Sequence, residues 1–345
     1  MTTIPTMDLK KRKSEQPHVV ILGAGASLAA FPTGDKNGRL LPLMNNLIST
    51  IKLEPIFEKY GIDYNVKNFE ALYSDLASNP SNSDLLSEIE DSIRVYFSEM
   101  VIPDTPTLYD YLLLSLREKD IIATFNWDPF LAQAYRRNSN FTDRLPKIVF
   151  LHGNVAAGIC RKDKTLDFMD ASNPCWKCQK PYELSNLLYP IKCKDYHTDD
   201  FIDDQWKQIQ AHIGHAYLMT IFGYSAPETD VEAKSLMHEA WELNSMKDFT
   251  SFDIVDIKGK RELSKTWSQF PTRFSSYAKK INDTYLFYHP RRSCEALQMA
   301  TLQQDPWSDN PHPKFKTLEE LHKWISPLIA EEEADMRLSS RGKGI

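Results

Sequence analysis

The feature that most constrains the fold is the stretch from His18 to Ser27, which reads His-Val-Val-Ile-Leu-Gly-Ala-Gly-Ala-Ser. The unbroken apolar run from Val19 to Leu22 is typical of a strand that is buried on both faces, as strands of parallel sheets are. The glycines that follow allow a sharp turn of the backbone, and the small residues after them allow a helix to begin close to the strand. The stretch therefore predicts a strand, a tight turn and a helix in an α/β domain.

The turn itself is suited to hold a phosphate group. Gly23 and Gly25 let such a group come close to main-chain N–H groups, as in the first turn of a nucleotide-binding Rossmann-type unit. The spacing Gly-x-Gly-x-Ser differs from Gly-x-Gly-x-x-Gly, so an ordinary dehydrogenase is not predicted. A tight strand-to-helix turn that binds no ligand is the alternative interpretation.

Length and composition exclude several classes of protein. The chain has 345 residues, of which 42% are hydrophobic, so it can form one large domain or two ordinary ones with a full core. A net charge of −6 and a pI near 5.9 argue against a general nucleic-acid-binding protein, which is normally basic. No apolar run reaches the roughly 18 residues needed to span a bilayer.

The first residues and the cysteines indicate the compartment. Residues 1–16 lack the apolar core of a signal peptide and carry Lys10-Lys11-Arg12-Lys13, so we expect a flexible basic arm. The chain has five cysteines, an odd number without a signal peptide, which favours a reducing compartment. We therefore expect a cytoplasmic protein that does not engage a membrane.

Apolar periodicity divides the rest of the chain into elements. Residues 39–118 have helical spacing and no clear strand, so we expect them to form a helical insertion. Beyond it we predict strands at 120–124, 147–151, 217–222, 252–257 and 284–288, and helices at 201–215, 230–243 and 318–329. Residues 331–345 have the composition of a disordered tail.

This alternation of strands and helices predicts a fold of the α/β class. We expect a doubly wound parallel sheet of the Rossmann type, with helices on both faces. Residues 17–330 would form this one domain, interrupted by the helical insertion and by a small module at about 155–198, where the sequence shows no long periodic element.

Polar residues and glycines follow several predicted strands, at 23–27, 124–128, 152–154 and 223–225. Ligands of doubly wound sheets bind at the carboxyl ends of the strands. We therefore predict one pocket that is lined by Gly25, Asn126, His152 and Gly223. A histidine, whose ordinary pKa lies near 6.5, is suited to take a proton from a hydroxyl group or a water at neutral pH.

Each of these positions also has a purely structural interpretation. His152 can be a histidine whose hydrogen bonds are satisfied at a strand end. Asn126 and Asp128 can be turn and cap residues before a helix that begins at Pro129. Ser225 can be an ordinary loop serine.

Taken in order, four motifs resemble those of the sirtuin (SIR2-like) family. They are Gly23-Ala24-Gly25-Ala26-Ser27, Thr124-Phe125-Asn126-Trp127-Asp128, Leu151-His152-Gly153 and Gly223-Tyr224-Ser225. The resemblance covers about residues 18–257. It implies an NAD-binding Rossmann domain with a small zinc module, at about 155–198, inserted after the His-Gly motif.

The resemblance also implies a role for each matching residue. Asn126 and His152 would be catalytic, with Asn126 beside the nicotinamide ribose and His152 as the general base. Asp128 would bond the nicotinamide carboxamide. The remaining contacts to NAD would come from Gly23, Ala24, Gly25, Ser27, Gly223 and Ser225.

The departures from the family pattern concern one half of the site. The family's Gly-Ile-Pro-Asp-Phe-Arg loop is replaced here by residues 30–35, and Phe125 stands where the family has glutamine. Residues 187–192 replace the acyl-lysine motif Phe-Gly-Glu-x-Leu-Pro. The chain thus keeps the NAD half of the site and not the peptide half, which resembles the divergent SIR2-like proteins of bacterial antiphage defence, whose members hydrolyse NAD.

Four cysteines crowd into one segment, as Cys160, Cys175, Cys178 and Cys193. Cys175-Trp-Lys-Cys178 is flanked on each side by a cysteine 15 residues away (175 − 160 and 193 − 178), so the set can offer thiolates to one tetrahedral, structural zinc. Asp163 stands where the family has another cysteine, and His197 is a reserve ligand in place of Cys193. Buried, reduced cysteines without a metal are the alternative.

Three functions compete. We predict an NAD glycohydrolase that yields nicotinamide and ADP-ribose and depletes NAD in antiphage defence, with an activating defence protein as partner and a homo-oligomeric assembly. An NAD-dependent protein deacylase would use the same pocket but lacks the peptide motif. A non-catalytic module that binds NAD or ADP-ribose and controls a partner is the third.

Overall fold

The computed structural model describes residues 16–65, 68–168, 174–191, 194–227, 230–270, 272, 274–303 and 306–341. The strands are β1 (His18–Leu22), β2 (Ile121–Thr124), β3 (Lys147–Phe150), β4 (Gly158–Cys160), β5 (Thr165–Asp167), β6 (Glu183–Leu184), β7 (Leu218–Phe222), β8 (Ser251–Val255) and β9 (Phe274–Ala278).

The helices of the first half are α1 (Ala24–Ala30), α2 (Leu47–Ile51), α3 (Glu54–Lys59), α4 (Phe69–Ala77), α5 (Ser83–Ser98), α6 (Leu108–Ser115) and α7 (Phe130–Ser139). Those of the second half are α8 (Asp200–Ile213), α9 (Val231–Glu242), α10 (Lys260–Thr266), α11 (Tyr285–Tyr288), α12 (Ser293–Gln298) and α13 (Leu318–Arg341).

The predicted doubly wound sheet is confirmed. Six parallel strands lie in the order β3-β2-β1-β7-β8-β9. The chain moves outward from β1 to β3, then crosses to β7 and moves outward on the other side, so the order reverses between β1 and β7. In open α/β sheets such a reversal opens a crevice at the carboxyl ends of the two strands.

Alternate residues of β1 explain why the strand is apolar throughout. Val20 and Leu22 face a core layer that contains side chains of the helical insertion, α7 and α13. Val19 and Ile21 face the opposite layer, which contains Trp206 of α8 and side chains of α9 and α10. Both faces of the strand are therefore buried, as the unbroken apolar run predicts.

The helical insertion forms as the sequence predicts, with α2 to α6 between β1 and β2. Asn68 caps α4, since its side chain accepts a hydrogen bond from the N–H of Ala71 at 2.9 Å. Helix α5 buries one face, which carries Leu85, Ile89, Ile93 and Phe97. The segment after β3 adds a separate small sheet in the order β5-β4-β6.

The predicted strand at 284–288 is wrong. Residues Tyr285–Tyr288 form α11, and the last strand of the sheet is β9. The aromatic residues of 284–288 have high strand propensity, but Leu286 and Phe287 reach the core from a helical turn. Strand β9 reads Phe-Ser-Ser-Tyr-Ala and lies at an exposed edge, so it carries little apolar signal.

The prediction of a disordered tail at 331–345 is also wrong over most of its length, because α13 continues to Arg341. Glu332 is buried there and accepts a hydrogen bond from Nε of Arg291 at 3.0 Å. Arg291 also donates to the carbonyl oxygens of Leu116 and Arg144, at 2.7 and 2.9 Å. This ion pair joins residues that are distant in the sequence, so the composition of the tail could not reveal it. Residues 342–345 lie outside the described part.

Two further predictions concern the ends and the membrane. The predicted basic arm comprises residues 1–16. Residues 1–15 lie outside the described part, so the arm stays a prediction. Within the described residues, every helix is too short or too polar to cross a bilayer.

Candidate functional site

The glycine turn lies at the point where the strand order reverses. The N–H of Gly23 donates to the carbonyl oxygen of Phe222, and the N–H of Gly25 to that of Gly223, both at 3.0 Å. Gly223 has φ +62°, and a Cβ there would lie 2.2 Å from the nitrogen of Ala26. The turns after β1 and β7 thus pack backbone against backbone, which excludes a side chain at Gly223.

The motifs that follow the strands lie along one edge of the sheet. His152, Asn126, Gly25 and Gly223 follow β3, β2, β1 and β7, which are neighbours in that order. The structure therefore gathers the predicted positions at the carboxyl edge of the sheet.

Ser27 connects three polar side chains beneath the turn. Its hydroxyl donates to Oδ2 of Asp128 at 2.6 Å and accepts from Nδ2 of Asn126 at 2.8 Å. The Tyr109 hydroxyl lies 2.6 Å from the same oxygen, and it must be a donor because the single Ser27 proton is already used. The Ser27 hydroxyl is thus committed within the protein, and a phosphate contact by it stays a prediction.

The amide of Asn126 has a defined orientation. Nδ2 donates to Ser27 and also to the carbonyl oxygen of Gly23, at 2.9 Å. A carbonyl oxygen only accepts, so the NH₂ group must face it. Both amide hydrogens are then used, and the side-chain oxygen is the group that Asn126 can offer to a ligand.

Asp128 has two roles in the structure. Its Oδ2 accepts from Ser27, while Oδ1 accepts from the N–H of Phe130, the first residue of α7, at 3.2 Å. The predicted turn interpretation is therefore correct for Asp128, whereas the residue at the cap position of α7 is Pro129. The turn leaves a binding role open. Burial raises the pKa of Asp128 to about 6, and the Ser27 hydrogen bond opposes that rise.

Asn154 and Tyr109 were not assigned a role from the sequence. The Asn154 side chain is fully buried, and its Nδ2 donates to the carbonyl oxygens of Asn126 and Asp128 at 3.1 and 2.7 Å. It fixes the loop that carries both residues. Its place directly after His152-Gly153 was a usable signal, whereas nothing in the sequence links Tyr109 to Ser27.

His152 is buried among aromatic rings. The Phe125 ring meets it edge-on at a centroid distance of 4.8 Å, and its Nε2 lies 2.9 Å from the hydroxyl of Tyr196. Burial lowers the pKa of His152 to about 3, so the imidazole is neutral near pH 7. Gly153 has φ +74°, and a Cβ there would lie 1.8 Å from the carbonyl oxygen of Asn186, so only glycine fits.

A buried ion pair lies near His152. The ammonium of Lys194 pairs with Asp230, whose other oxygen accepts from the Tyr224 hydroxyl at 3.0 Å. Asp230 raises the pKa of His152 and Lys194 lowers it, and both effects are smaller than the effect of burial. The ring of Tyr224 stacks on Phe125 at 4.1 Å, which connects this pair to the same aromatic cluster.

Two of the predicted contacts to NAD lie on the surface. Ala24 and Ser225 are both exposed, one at the first residue of α1 and the other in the loop after β7. Ser27, Asn126, Asp128 and His152 are each less than 10% exposed.

Three of the predicted metal ligands come together. The sulfur atoms of Cys160 and Cys178 lie 3.5 Å apart, and Oδ2 of Asp163 lies 3.6 Å from the sulfurs of Cys160 and Cys175. One ligand atom from each of these residues lies within 4.8 Å of every other. Sulfur atoms on one tetrahedral zinc lie about 3.8 Å apart, since each bond is about 2.3 Å long, so the cluster fits that ion.

The fourth ligand predicted from the sequence stays a prediction. Cys193 lies outside the described residues. His197 is exposed and its Nδ1 lies 2.6 Å from Oδ1 of Asp203, so its ring is engaged elsewhere. Asp163 stands where the family has another cysteine, and among the described residues it supplies the fourth donor.

An open cavity of about 560 Å³ lies between α5 and the chain that follows β6. It is bounded by α5 and by residues 186–189, 195, 198 and 199. The N–H of Leu188 in its wall donates to the carbonyl oxygen of His152 at 2.9 Å. The acidic residues of its wall are Glu90, Asp91, Asp195 and Asp199. A second cavity, of about 490 Å³, lies at the outer edge of β3 beside Cys160.

Comparison with known proteins gives structural likeness alone. No protein-family model matches the sequence, and no curated protein matches it. A structure from work on the structural basis of sirtuin substrate affinity is similar, with 17% identity over 78% of this chain and 91% of that one, and a TM-score of 0.38.

Two further structures are similar to the same degree. A SIR2 protein bound to an inhibitor, 2′-O-acetyl-ADP-ribose and a deacetylated peptide has 14% identity over 86% of this chain and 96% of its own, with a TM-score of 0.35. A mutant Sir2 homologue in complex with ADP-ribose has 12% identity over 85% and 96%, with a TM-score of 0.37. Because these identities and scores are low, we base the function proposed below on the residues of this chain.

Proposed function

We propose that this chain is an NAD⁺ glycohydrolase of SIR2-like type, which cleaves NAD to nicotinamide and ADP-ribose. The observation that carries the proposal is the contact between the Gly23–Ser27 turn and Gly223 at the strand-order reversal, with Asn126 and His152 on the same edge. A glycine turn at such a crevice is where doubly wound folds bind dinucleotides.

In this proposal the backbone near the reversal binds the pyrophosphate and ribose groups of NAD. Exposed Ala24 and Ser225 stand on the two turns that meet there. The N–H groups of Gly23 and Gly25 already donate to Phe222 and Gly223, so a phosphate would meet the remaining main-chain donors at the start of α1, whose partial positive charge favours it. Gly23, Gly25 and Gly223 keep the two turns close, and Ser27 holds Asn126 in place.

The proposed reaction breaks the bond between nicotinamide and ribose, with the bonding electrons moving to the nicotinamide nitrogen. The ribose carbon becomes cation-like, and a water oxygen bonds to it and loses one proton. The Asn126 side-chain oxygen can orient the ribose or the water, and the neutral His152 imidazole can exchange a proton or a hydrogen bond. Asp128 would bond the carboxamide of nicotinamide.

The burial of these side chains has a consequence for binding. Because Asn126, Asp128 and His152 are almost fully buried, a nucleotide can touch them only after neighbouring segments move apart. This supports the proposal of an activating defence partner, since a partner that stabilises the open form would increase cleavage.

The test is to incubate the purified chain with NAD and to measure nicotinamide and ADP-ribose by liquid chromatography and mass spectrometry. We expect equal amounts of the two products without any peptide. Binding of NAD without release of nicotinamide, under all conditions and with candidate partners, would favour the non-catalytic module instead.

The open cavity beside α5, whose wall residue Leu188 bonds the backbone of His152, favours a second candidate, an NAD-dependent protein deacylase. Its wall carries four carboxylates and Arg94, and the excess of negative charge would suit a basic peptide with an acylated lysine. Release of nicotinamide that depends on an acetylated peptide, with transfer of the acetyl group, would support this function and contradict the first.

We also propose that zinc is held by Cys160, Cys175 and Cys178, with Asp163 or Cys193 as the fourth ligand. Bound zinc would cross-link the small sheet of β4 to β6, a structural role because four protein ligands leave no open position. Metal analysis of the purified chain should give about one zinc per chain. A Cys175→Ser variant should lose the metal, and a metal-free wild type that is fully folded would contradict the proposal.

The proposed biological role is NAD depletion in antiphage defence by a cytoplasmic homo-oligomer. The replacement of the sirtuin peptide motif at residues 187–192 supports NAD hydrolysis in place of deacylation. Cells that express the wild type should lose NAD after phage infection, and cells that express Asn126→Ala should not. Light scattering of the purified chain measures the assembly separately.

A further inference from the structure

His152 is held by a side chain that lies outside the recognised motifs. Its Nε2 is 2.9 Å from the hydroxyl oxygen of Tyr196, and the two rings are nearly parallel, with 13° between their planes. Within the described residues, no side chain or backbone group forms a hydrogen bond with Nδ1 of His152. Tyr196 therefore contacts one ring nitrogen and leaves the other for a ligand.

The Tyr196 ring is a fixed part of the core. It is fully buried and packs against Trp206 of α8 at a centroid distance of 4.7 Å. Its chain segment is anchored two residues earlier, where Lys194 pairs with Asp230, the residue before α9. The hydroxyl is thus held at one point relative to His152.

The direction of the hydrogen bond follows from the needs of the two groups. A buried phenol O–H requires an acceptor, and within the described residues the acceptor in reach is Nε2 of His152. A hydrogen on Nδ1 also requires an acceptor, which a bound ligand or a water can supply on the side away from Tyr196. Burial, with Asp230 nearby, raises the pKa of Tyr196, so the hydroxyl keeps its proton. Since the imidazole is neutral, its Nε2 can accept.

We infer that Tyr196 is a positioning residue that holds His152 in the tautomer with its hydrogen on Nδ1. The assignment of Nδ1–H to an NAD site rests on the proposed function, whereas the tautomer itself does not. His152 then offers a hydrogen-bond donor to a ribose oxygen or a water. It accepts a proton only when Nε2 separates from Tyr196, which refines the predicted role of a general base.

The direct test is nitrogen NMR of the full chain labelled at the ring nitrogens of its histidines. The chain has nine histidines, and a His152→Ala variant assigns the signal. We expect His152 to carry its hydrogen on Nδ1 and to stay neutral from pH 8 to pH 5. In Tyr196→Phe the ring packing remains, but we expect the tautomer preference to be lost and the pKa of His152 to rise, because the donor that favours the neutral form is gone.

Tyr217→Phe is the matched control, because it also removes a buried hydroxyl but one that does not contact His152. Tyr217 is equally buried, and its hydroxyl lies 3.3 Å from Oγ1 of Thr301 at the opposite end of β7. Tyr217→Phe should leave the His152 signals unchanged. Hydrogen on Nε2 in the wild type, or unchanged His152 signals in Tyr196→Phe, would overturn the inference.

Kinetics then test the consequence for NAD cleavage. We expect kcat/KM of Tyr196→Phe to fall about tenfold, in line with the loss of one positioned hydrogen bond, and that of Tyr217→Phe to stay at the wild-type value. Faster cleavage by Tyr196→Phe would mean that Tyr196 restrains His152, and it would overturn the positioning role. If the wild type cleaves no NAD under any condition, candidate partners included, the proposed function fails while the NMR result decides the tautomer by itself.

Discussion

Replacement of Asn126 by alanine separates catalysis from stability. The side chain donates two hydrogen bonds, to Gly23 and to Ser27. Both acceptors keep another donor, since the Gly23 oxygen also accepts from the N–H of Ala26 and the Ser27 oxygen from Tyr109. The loss is therefore two ordinary hydrogen bonds, about 2 kcal/mol of unfolding free energy in total, and not the larger cost of an orphaned buried group.

The expected effect on cleavage is larger. If the Asn126 oxygen orients the ribose or the attacking water, its loss removes several kcal/mol of orientation. A loss of about 3 kcal/mol lowers kcat at least 100-fold. The assay is nicotinamide release at 25 °C, and urea unfolding shows that the variant remains folded under the assay conditions.

Asn138 provides the matched control. Its buried Nδ2 also donates two hydrogen bonds, to Oδ1 of Asp110 and to the carbonyl oxygen of Ala134, each at 2.8 Å. Asn138→Ala should lose at least as much stability as Asn126→Ala and keep its activity. Equal activity losses in the two variants, or near wild-type cleavage by Asn126→Ala, would refute the assigned role.

Three further predictions concern stability and are checked by urea unfolding. Gly223→Ala should lose about 3 kcal/mol or more, because a Cβ would meet the backbone of Ala26 at 2.2 Å in a left-handed conformation; a loss below about 1 kcal/mol would contradict the packing. Glu332→Gln should lose about 3 kcal/mol by leaving the buried Arg291 charge uncompensated, and an unchanged midpoint would show that α13 does not need the pair. Burial raises the pKa of Asp253 to about 6, so the stability that its neutral form allows below about pH 4 is lost as pH rises through 6, up to about 3 kcal/mol. Asp253→Asn should lack that loss between pH 4 and pH 7, and an identical pH dependence would contradict it.

The parts of the fold that the sequence predicted are those with a local pattern. The apolar run of β1 and the helical spacing of α5 place buried side chains at intervals that identify the element. The same holds for the strand-end motifs, because the parallel topology alone brings Asn126, His152 and Gly223 to one edge.

The parts that could not be predicted depend on contacts between distant residues. The partners of Ser27 and His152, namely Tyr109 and Tyr196, lie 82 and 44 positions away in the sequence. Strand β9 lacks an apolar run because its side chains are exposed or half-buried. The Arg291–Glu332 pair holds a helix whose composition resembles a disordered tail. In each case the local structure depends on packing or charge pairing between distant residues, which no short window of the sequence contains.

The most direct test of the account is a crystal structure of the chain with ADP-ribose at millimolar concentration. We expect the pyrophosphate against the Gly23–Ser27 turn beside Gly223, and the distal ribose toward Asn126 and His152. ADP-ribose bound elsewhere on the chain, while the crevice between β1 and β7 keeps the closed arrangement described here, would contradict the central claim.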